Sequence, residues 1–341
     1  GHWSVRELNT ADGSESECSF SQQGGWTEIP WTIYPQSHRL LRLSPGEGRC
    51  VLPTTDWTVC GDVLEPDTVV REEPNVLLLD HAAWRLNDGE WQEPEDSLMI
   101  QRRLAEQFGW PDWGQPYSVK DPGERQWVTR RFEIDCAGEF QDVKLVCERV
   151  NSAAVRLDGQ PVTFSPDGWW VDRDLPTLPL PDLSKGRHVL EVDLGLDAVD
   201  RHLEWCYLLG EFDVETRGAH ARMVPVAEDV VWGDTVSQGF AFYGGNLEYR
   251  VSLRIDEPGG YALRCPDFGG HLLRVFCDER DCGPVAFDPY RAELGELKTG
   301  THQIRIKAYG NRHNSFGSLH NNRPDWSWWG PQSWYGEAEE R

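Results

Sequence analysis

The stretch Pro181–Gly195, PDLSKGRHVLEVDLG, decides the fold, because it returns in altered form at Gly295–Gly310 as GELKTGTHQIRIKAYG. Gly186 matches Gly300 and His188 matches His302, and in both copies the glycine-marked turn opens a strand of alternating apolar residues. Such self-similarity implies two copies of one structural unit. Upstream of each lies a strand that reaches an acidic turn: Val155, Arg156, Leu157, Asp158 and Gly159 in the first copy, Val275, Phe276, Cys277 and Asp278 in the second. Asp158–Gly159 is a tight-hairpin signal, since both residues accept the positive φ angles that turn requires. The Gly186 and Gly300 turns are then expected to launch the strand that closes each sheet.

Strand signals continue on both sides, in VKLVCERV, LEYRVSLRI and HLLRVFC, each short, rich in branched apolar residues and bounded by turn formers. No helical crossovers separate them, so the expected fold class is all-β: two antiparallel jelly-roll sandwiches in tandem. One helix is expected in EDSLMIQRRLAEQFGW, near residues 95–108, where Leu98, Leu104 and Phe108 recur at helical spacing and Gly109 ends the run. It reads as an insertion covering one sandwich face. The expected division is a β-rich remnant over 1–52, a sandwich with the helix over 53–216, and a second sandwich with an aromatic-rich end over 217–341.

Composition narrows the partners. The chain has 341 residues and a net charge of −24, with 33 Lys and Arg against 57 Asp and Glu. An acidic surface without basic clusters repels phosphate backbones, which argues against nucleic acid. No apolar run approaches the length of a membrane span, so no membrane is expected either. Nine cysteines without framework spacing read as buried free thiols in a reducing, cytoplasmic setting. A zinc site from Cys265, His271, Cys277 and Cys282 lacks a CxxC pair, and hairpin neighbours explain the spacing, so no metal is expected. Structural calcium in a jelly-roll loop is the one cofactor option, without EF-hand spacing to support it. The opening GHWSVRELNT has no basic start and apolar core, so no signal peptide is read there, and the chain reads as a piece of a longer polypeptide.

The runs VRLDGQPV and LPDLSKGRHVLEVDL resemble the paired strands of the sugar-binding, galactose-binding-like jelly roll of glycoside hydrolase family 2 and its rhamnosidase-like relatives. The strings PNVLLLDHAAW, LEWCYLLGEF, QGFAFYGGNLEYR and GNRHNSFGSLHN, followed by WWGPQSW, resemble the carboxyl-terminal region of large bacterial glycosidases. The resemblance implies that catalysis belongs to acids on a separate (β/α)8 barrel, which is not written in this sequence. The implied role here is to support that missing catalytic domain or to hold carbohydrate. A purely structural module that docks on the catalytic domain or on a second subunit is the rival reading.

Seventeen Trp are many for a sandwich, and a pyranose ring packs its apolar face on an indole. Trp169 and Trp170, which follow SPDG, are therefore candidate sugar contacts; the segment from Gly310 on is the first choice of site, and Tyr243 and Asn246 in FYGGN are the second. The richest segment starts at Gly310, where Arg312, Asn314, His320 and Asn322 accompany Trp326, Trp328, Trp329 and Trp334. The competing expectation is that these rings fill the interface between the two sandwiches, anchored by their indole N–H groups. A catalytic pair of carboxylates is not expected: Glu90, Glu93, Glu95 and Asp96 read as a solvated loop, and Glu204 as a paired strand residue.

Overall fold

A computed structural model describes the chain except residues 11–12, 36–37, 53–56, 62, 111–118, 120, 219, 228–229 and 318–341. The described residues form short strands, most of them paired antiparallel, and few helical segments, so the all-β expectation holds. Among them no helix is long and apolar enough to cross a membrane. The chain divides into two compact units: Gly1–Asp67 with Tyr249–Ala308, and Thr68–Glu248 with the chain from Tyr309 onward.

The larger unit is built on the strand Gln126–Cys136, which pairs along its whole length with Gly186–Leu196. Directly opposite residues face the same way, so Leu190 with Phe132, Val192 with Arg130 and Leu194 with Val128 form one inward face. A five-stranded sheet lies against part of that face, through Leu178, Leu145, Leu208 and Leu77, which are mutually in register. The long sheet extends past its partner. Its overhang, with Val128, Leu194, Leu196 and Trp84, is covered by the helix Ser97–Phe108 through Ile100 and Leu104. These two helix residues are one turn apart and fully buried, each contributing about 1.5–3 kcal/mol by burial. Asp96 caps the helix by accepting the Leu98 N–H at 2.7 Å, and Gly109, at φ 65°, closes it with an N–H donated to the Ala105 carbonyl. Arg130 lies on the inward face between these two groups. It is 1% exposed and donates to Ser97 Oγ at 3.1 Å and to the Glu204 carbonyl.

In the smaller unit the strand order is Arg280–Val285, Leu273–Cys277, Gly300–Ala308 and Leu247–Ile255. A second ladder joins Gly259–Arg264 to Arg291–Leu297. The N-terminal strand Trp3–Leu8 pairs with Leu40–Pro45 over a small core of Val5, Cys18 and Phe20. His38 meets Phe287 edge-on at 5.5 Å, and Arg291 lies 4.9 Å from the Trp57 ring.

Four details differ from the sequence reading. The residues taken as a remnant, 1–52, belong in one unit with the second sandwich. The boundary at 216/217 falls inside a hairpin, since Asp213–Arg217 and His220–Val224 are paired and both extend the long sheet. That extension is parallel at Asp135–Arg222, an exception to antiparallel pairing that local sequence does not encode. The strands launched at Gly186 and Gly300 are also central in their sheets, with neighbours on both edges, where they were expected to close them.

The duplicated histidine has a structural role in each copy. Asp158 and Asp278 both stand at φ 51° in two-residue hairpin turns. His188 donates from Nδ1 to Asp158 at 2.7 Å and from Nε2 to the Ser184 carbonyl at 2.8 Å. His302 repeats this with Asp278 and the Lys298 carbonyl, both at 2.9 Å. The other carboxylate oxygen accepts the Val189 N–H in the first copy and the Gln303 N–H in the second. Carboxylate and carbonyl oxygens only accept, so both ring nitrogens must donate and the ring is an imidazolium. Burial opposes the charge on His188, but its bonds to Asp158 and Ser184 outweigh burial and raise its pKa. Burial likewise pushes Asp158 upward, and His188 with the Val189 N–H overcomes it and lowers the carboxyl.

The histidine's contribution to stability is therefore complete below its ordinary 6.5 and fades as pH rises through the raised value. The aspartate's contribution is complete above its ordinary 3.8 and fades as pH falls through the lowered value. Denaturant midpoints at a series of pH values should show His188→Gln furthest below the parent chain between these two limits, with the gap narrowing toward alkaline pH. A gap independent of pH would contradict the ionic clasp.

Candidate functional site

The strand pair Trp169–Trp170 with Asp172–Pro179 carries the first two candidate residues, and a bulge between the tryptophans turns them to different surroundings. Trp169 is 56% exposed and Trp170 only 5%. The Trp170 ring packs against Tyr207 at 5.0 Å and Phe316 at 5.2 Å, and the Arg312 guanidinium lies 5.7 Å from its centroid. Arg312 is itself paired with Glu73. Tyr243 donates to the Asn246 carbonyl at 2.7 Å, while the Asn246 side chain donates to Glu72 at 3.0 Å and accepts the Gly310 N–H at 3.1 Å. Gly310 is required there, because a Cβ would lie 2.1 Å from the Gly244 carbonyl oxygen. Asn314 is half-buried in the short helix His313–Phe316, where Ser315 donates to the Phe242 carbonyl at 2.8 Å.

Four sequence candidates, Trp170, Tyr243, Asn246 and Arg312, are thus brought together, with Asn314 beside them. Through Trp170 they pack on the Tyr207 ring of the five-stranded sheet, and Trp170 Nε1 and Arg312 Nη1 are buried there with no hydrogen-bond partner among the described residues. Trp169 alone of the described aromatic candidates is presented to solvent. His320, Asn322, Trp326, Trp328, Trp329 and Trp334 lie outside the described residues.

A different group converges without being consumed by the fold. Glu148, Arg149 and Asn151, at the end of the strand Lys144–Val146, line a cavity of about 320 Å³ with Arg173, Asp174 and Pro176. Pro176 is directly opposite Trp169 in the register of the neighbouring strand pair. Arg149 is held by the Gly195 carbonyl and Asp200. The side chains of Glu148, Asn151, Arg173 and Asp174 make no hydrogen bond to another described residue. Burial, and then the negative charges of Glu204, Cys147 and Asp174, push the Glu148 carboxyl up to about 7. Glu204, in the segment before the strand Cys206–Gly210, is raised chiefly by burial. Near neutral pH the cavity therefore offers a carboxyl able to donate or accept, an amide, a guanidinium and a carboxylate.

The sequence reading missed this group. Its members come from ERVN and DRD, polar runs at strand ends that look like ordinary solvated turns. A larger cavity of about 680 Å³, lined by Pro74, Glu139, Phe140, Gln141, Asp142, Gly210 and Glu211, has no basic group to balance its acids. Asp96 and Glu95, read as loop acids, serve the helix: Asp96 caps it and Glu95 pairs with Arg103 at 2.7 Å.

The cysteines are all free, with Cys18, Cys136, Cys147, Cys206 and Cys277 buried. Among the described residues the one metal-like grouping is Cys277, Asp278 and His302. Both His302 nitrogens are already committed to Asp278 and Lys298, and Cys277 occupies the strand position that Leu157 holds in the first copy, so the grouping is explained by the clasp.

No family model and no curated protein matches the chain. Solved structures do. A family 2 β-galacturonidase from Eisenbergiella tayi bound to galacturonate is similar over 71% of this chain and 37% of its own, at 12% identity and a TM-score of 0.26. An α-L-rhamnosidase from Streptomyces avermitilis is similar over 59% of this chain and 23% of its own, at 15% identity and a TM-score of 0.24. A putative β-galactosidase from Bacteroides fragilis is similar over 73% and 36%, at 12% identity and a TM-score of 0.20. The chain thus spans 23–37% of the length of these glycoside hydrolase structures.

Proposed function

We propose that this chain is a non-catalytic carbohydrate-binding or active-site-supporting region of a glycoside hydrolase whose catalytic barrel lies outside these residues, and that it holds sugar at the Glu148–Asp174 cavity. The observation that carries the reading is the convergence of Glu148, Asn151, Arg173 and Asp174 on one concavity with no protein hydrogen bond among the described residues. Sugar hydroxyls are paired donors and acceptors, and planar amide, carboxyl and guanidinium groups match them. The exposed Trp169 indole, on the strand paired beside the Asp174 strand, supplies a surface for the apolar face of a pyranose.

Titration of the chain with a panel of mono- and oligosaccharides, followed by the Trp indole N–H signals and by calorimetry, tests this. At least one sugar should bind with Kd between ~1 µM and ~1 mM, about −8 to −4 kcal/mol. Asp174→Ala and Trp169→Ala, both at exposed positions, should weaken it about tenfold, roughly 1.4 kcal/mol, without lowering thermal stability. No response at the Trp169 indole to any sugar would count against carbohydrate at this site.

The docking alternative has its own support. Trp26, Ile33, Val59 and Val63 are each at least 71% exposed, and all belong to the first 63 residues of the smaller unit. A second subunit or the catalytic domain covering them would leave the cavity variants without effect and would appear as protection of the N-terminal segment.

A further inference from the structure

The five-stranded sheet of the larger unit contains a pair of cysteines that neither the carbohydrate reading nor the clasp uses. Lys144, Leu145 and Val146 stand opposite Leu209, Leu208 and Tyr207 in an antiparallel register. Continued one residue beyond the end of the strand at Val146, that register would face Cys147 with Cys206. Directly opposed residues in such a ladder have Cα atoms about 4.5–5.5 Å apart, and a disulfide spans Cα separations of about 4.4–6.8 Å. The Cys147 thiol donates to the Glu148 carbonyl at 3.2 Å. Each cysteine is at most 1% exposed.

Their surroundings are unusual for core cysteines. Arg130, fully buried, reaches Cys147 Sγ with Nη2 at 3.5 Å, and its Nε has no partner among the described residues. A buried guanidinium favours an anion beside it. The neighbouring Cys206 and then the Arg130 charge act against burial and lower the Cys147 thiol below its ordinary value. Burial and the Cys147 sulfur hold the Cys206 thiol well above its ordinary value. The sulfur that the Arg130 guanidinium reaches, Cys147, is therefore the one set as nucleophile, and Cys206 is its proton-bearing partner.

We propose that Cys147 and Cys206 are a redox-active dithiol that closes to a cross-strand disulfide when a peroxide enters. In the first step the Cys147 thiolate attacks a peroxide oxygen: an S–O bond forms, the O–O bond breaks, and the departing hydroxide takes a proton from solvent to leave as water. In the second, the Cys206 sulfur attacks the Cys147 sulfenic acid: the S–S bond forms and the S–O bond breaks. The leaving hydroxide accepts the Cys206 proton. Two thiols and one peroxide give one disulfide and two waters, the sulfurs losing the two electrons that the peroxide gains.

The full chain, treated with hydrogen peroxide, then unfolded, alkylated and digested, should yield the Cys147 and Cys206 peptides linked and lighter by two hydrogens. Alkylation at both residues should be lost together and restored by dithiothreitol. In a Cys206→Ser chain, Cys147 should instead accumulate as a sulfenic acid that dimedone traps. The proposal is overturned if both residues are recovered as alkylated thiols at a peroxide dose that oxidises the exposed Cys60, or if Cys147 links to a different cysteine. The parent-chain measurement decides the matter even if the serine variant does not fold.

Discussion

Trp170→Ala should lower the unfolding free energy of the larger unit by about 3–5 kcal/mol, the range for removing a large buried aromatic side chain. Trp170 is 5% exposed and is the ring on which Tyr207 and Phe316 meet, themselves 5.5 Å apart. Its loss would open the space between the five-stranded sheet and the segment that covers it. It would also leave the Arg312–Glu73 pair without the ring that the guanidinium overlies. The adjacent Trp169→Ala should change stability by no more than about 0.5 kcal/mol, as for most exposed positions. Urea midpoints of the two variants against the parent chain measure the difference. Equal losses would mean that both indoles pack, which would remove Trp169 from the proposed sugar contact.

A comparable loss is expected when Arg71 is replaced by Met. Arg71 donates to Asp213 at 2.9 Å and to the Phe212 carbonyl at 3.1 Å, and the two charged side chains are 10% and 4% exposed. Removing the cation leaves a buried carboxylate whose remaining support includes the Ala227 N–H at 2.7 Å, and leaving such a charge uncompensated costs about 3–5 kcal/mol. The additional link from Arg71 to the exposed Glu211 adds little, as surface pairs do. If the loss is electrostatic, Arg71→Met combined with Asp213→Leu should recover part of it, because an apolar pair carries no desolvated charge. Strict additivity of the two single losses would show that packing, and not the ion pair, is what Arg71 contributes.

The contrast between Trp169 and Trp170 shows where local reading stops. Both residues carry the same chemistry and follow the same turn, yet the bulge between them, together with Val171 at φ 61°, sends one to solvent and one under Phe316. Phe316 is 146 residues further along, so no local pattern announces it. The cavity was equally hidden. Glu148 and Asn151 end one strand and Arg173 and Asp174 begin another, and the two meet because both strands join the same sheet through the register Lys144–Pro179. The raised pKa of Glu148 follows from that meeting and from burial beside Glu204, neither of which composition contains.

What the sequence determined alone was everything that depends on short range or on repetition. The helix end at Gly109 follows from capping chemistry; the hairpin at Asp158–Gly159 follows from tolerance of positive φ; and the duplicated Gly-x-His unit announced two like structures before any contact was known. Tertiary structure decided the rest. It made the repeated histidine an imidazolium by placing a carboxylate and a carbonyl on its two nitrogens, assigned residues 1–67 to the smaller unit, and set the register of Lys144–Val146 against Tyr207–Leu209. The physical reason is that turns and caps are satisfied by atoms a few residues away. Burial, ionisation and convergence depend on which distant strands become neighbours, and that is chosen by the whole core at once.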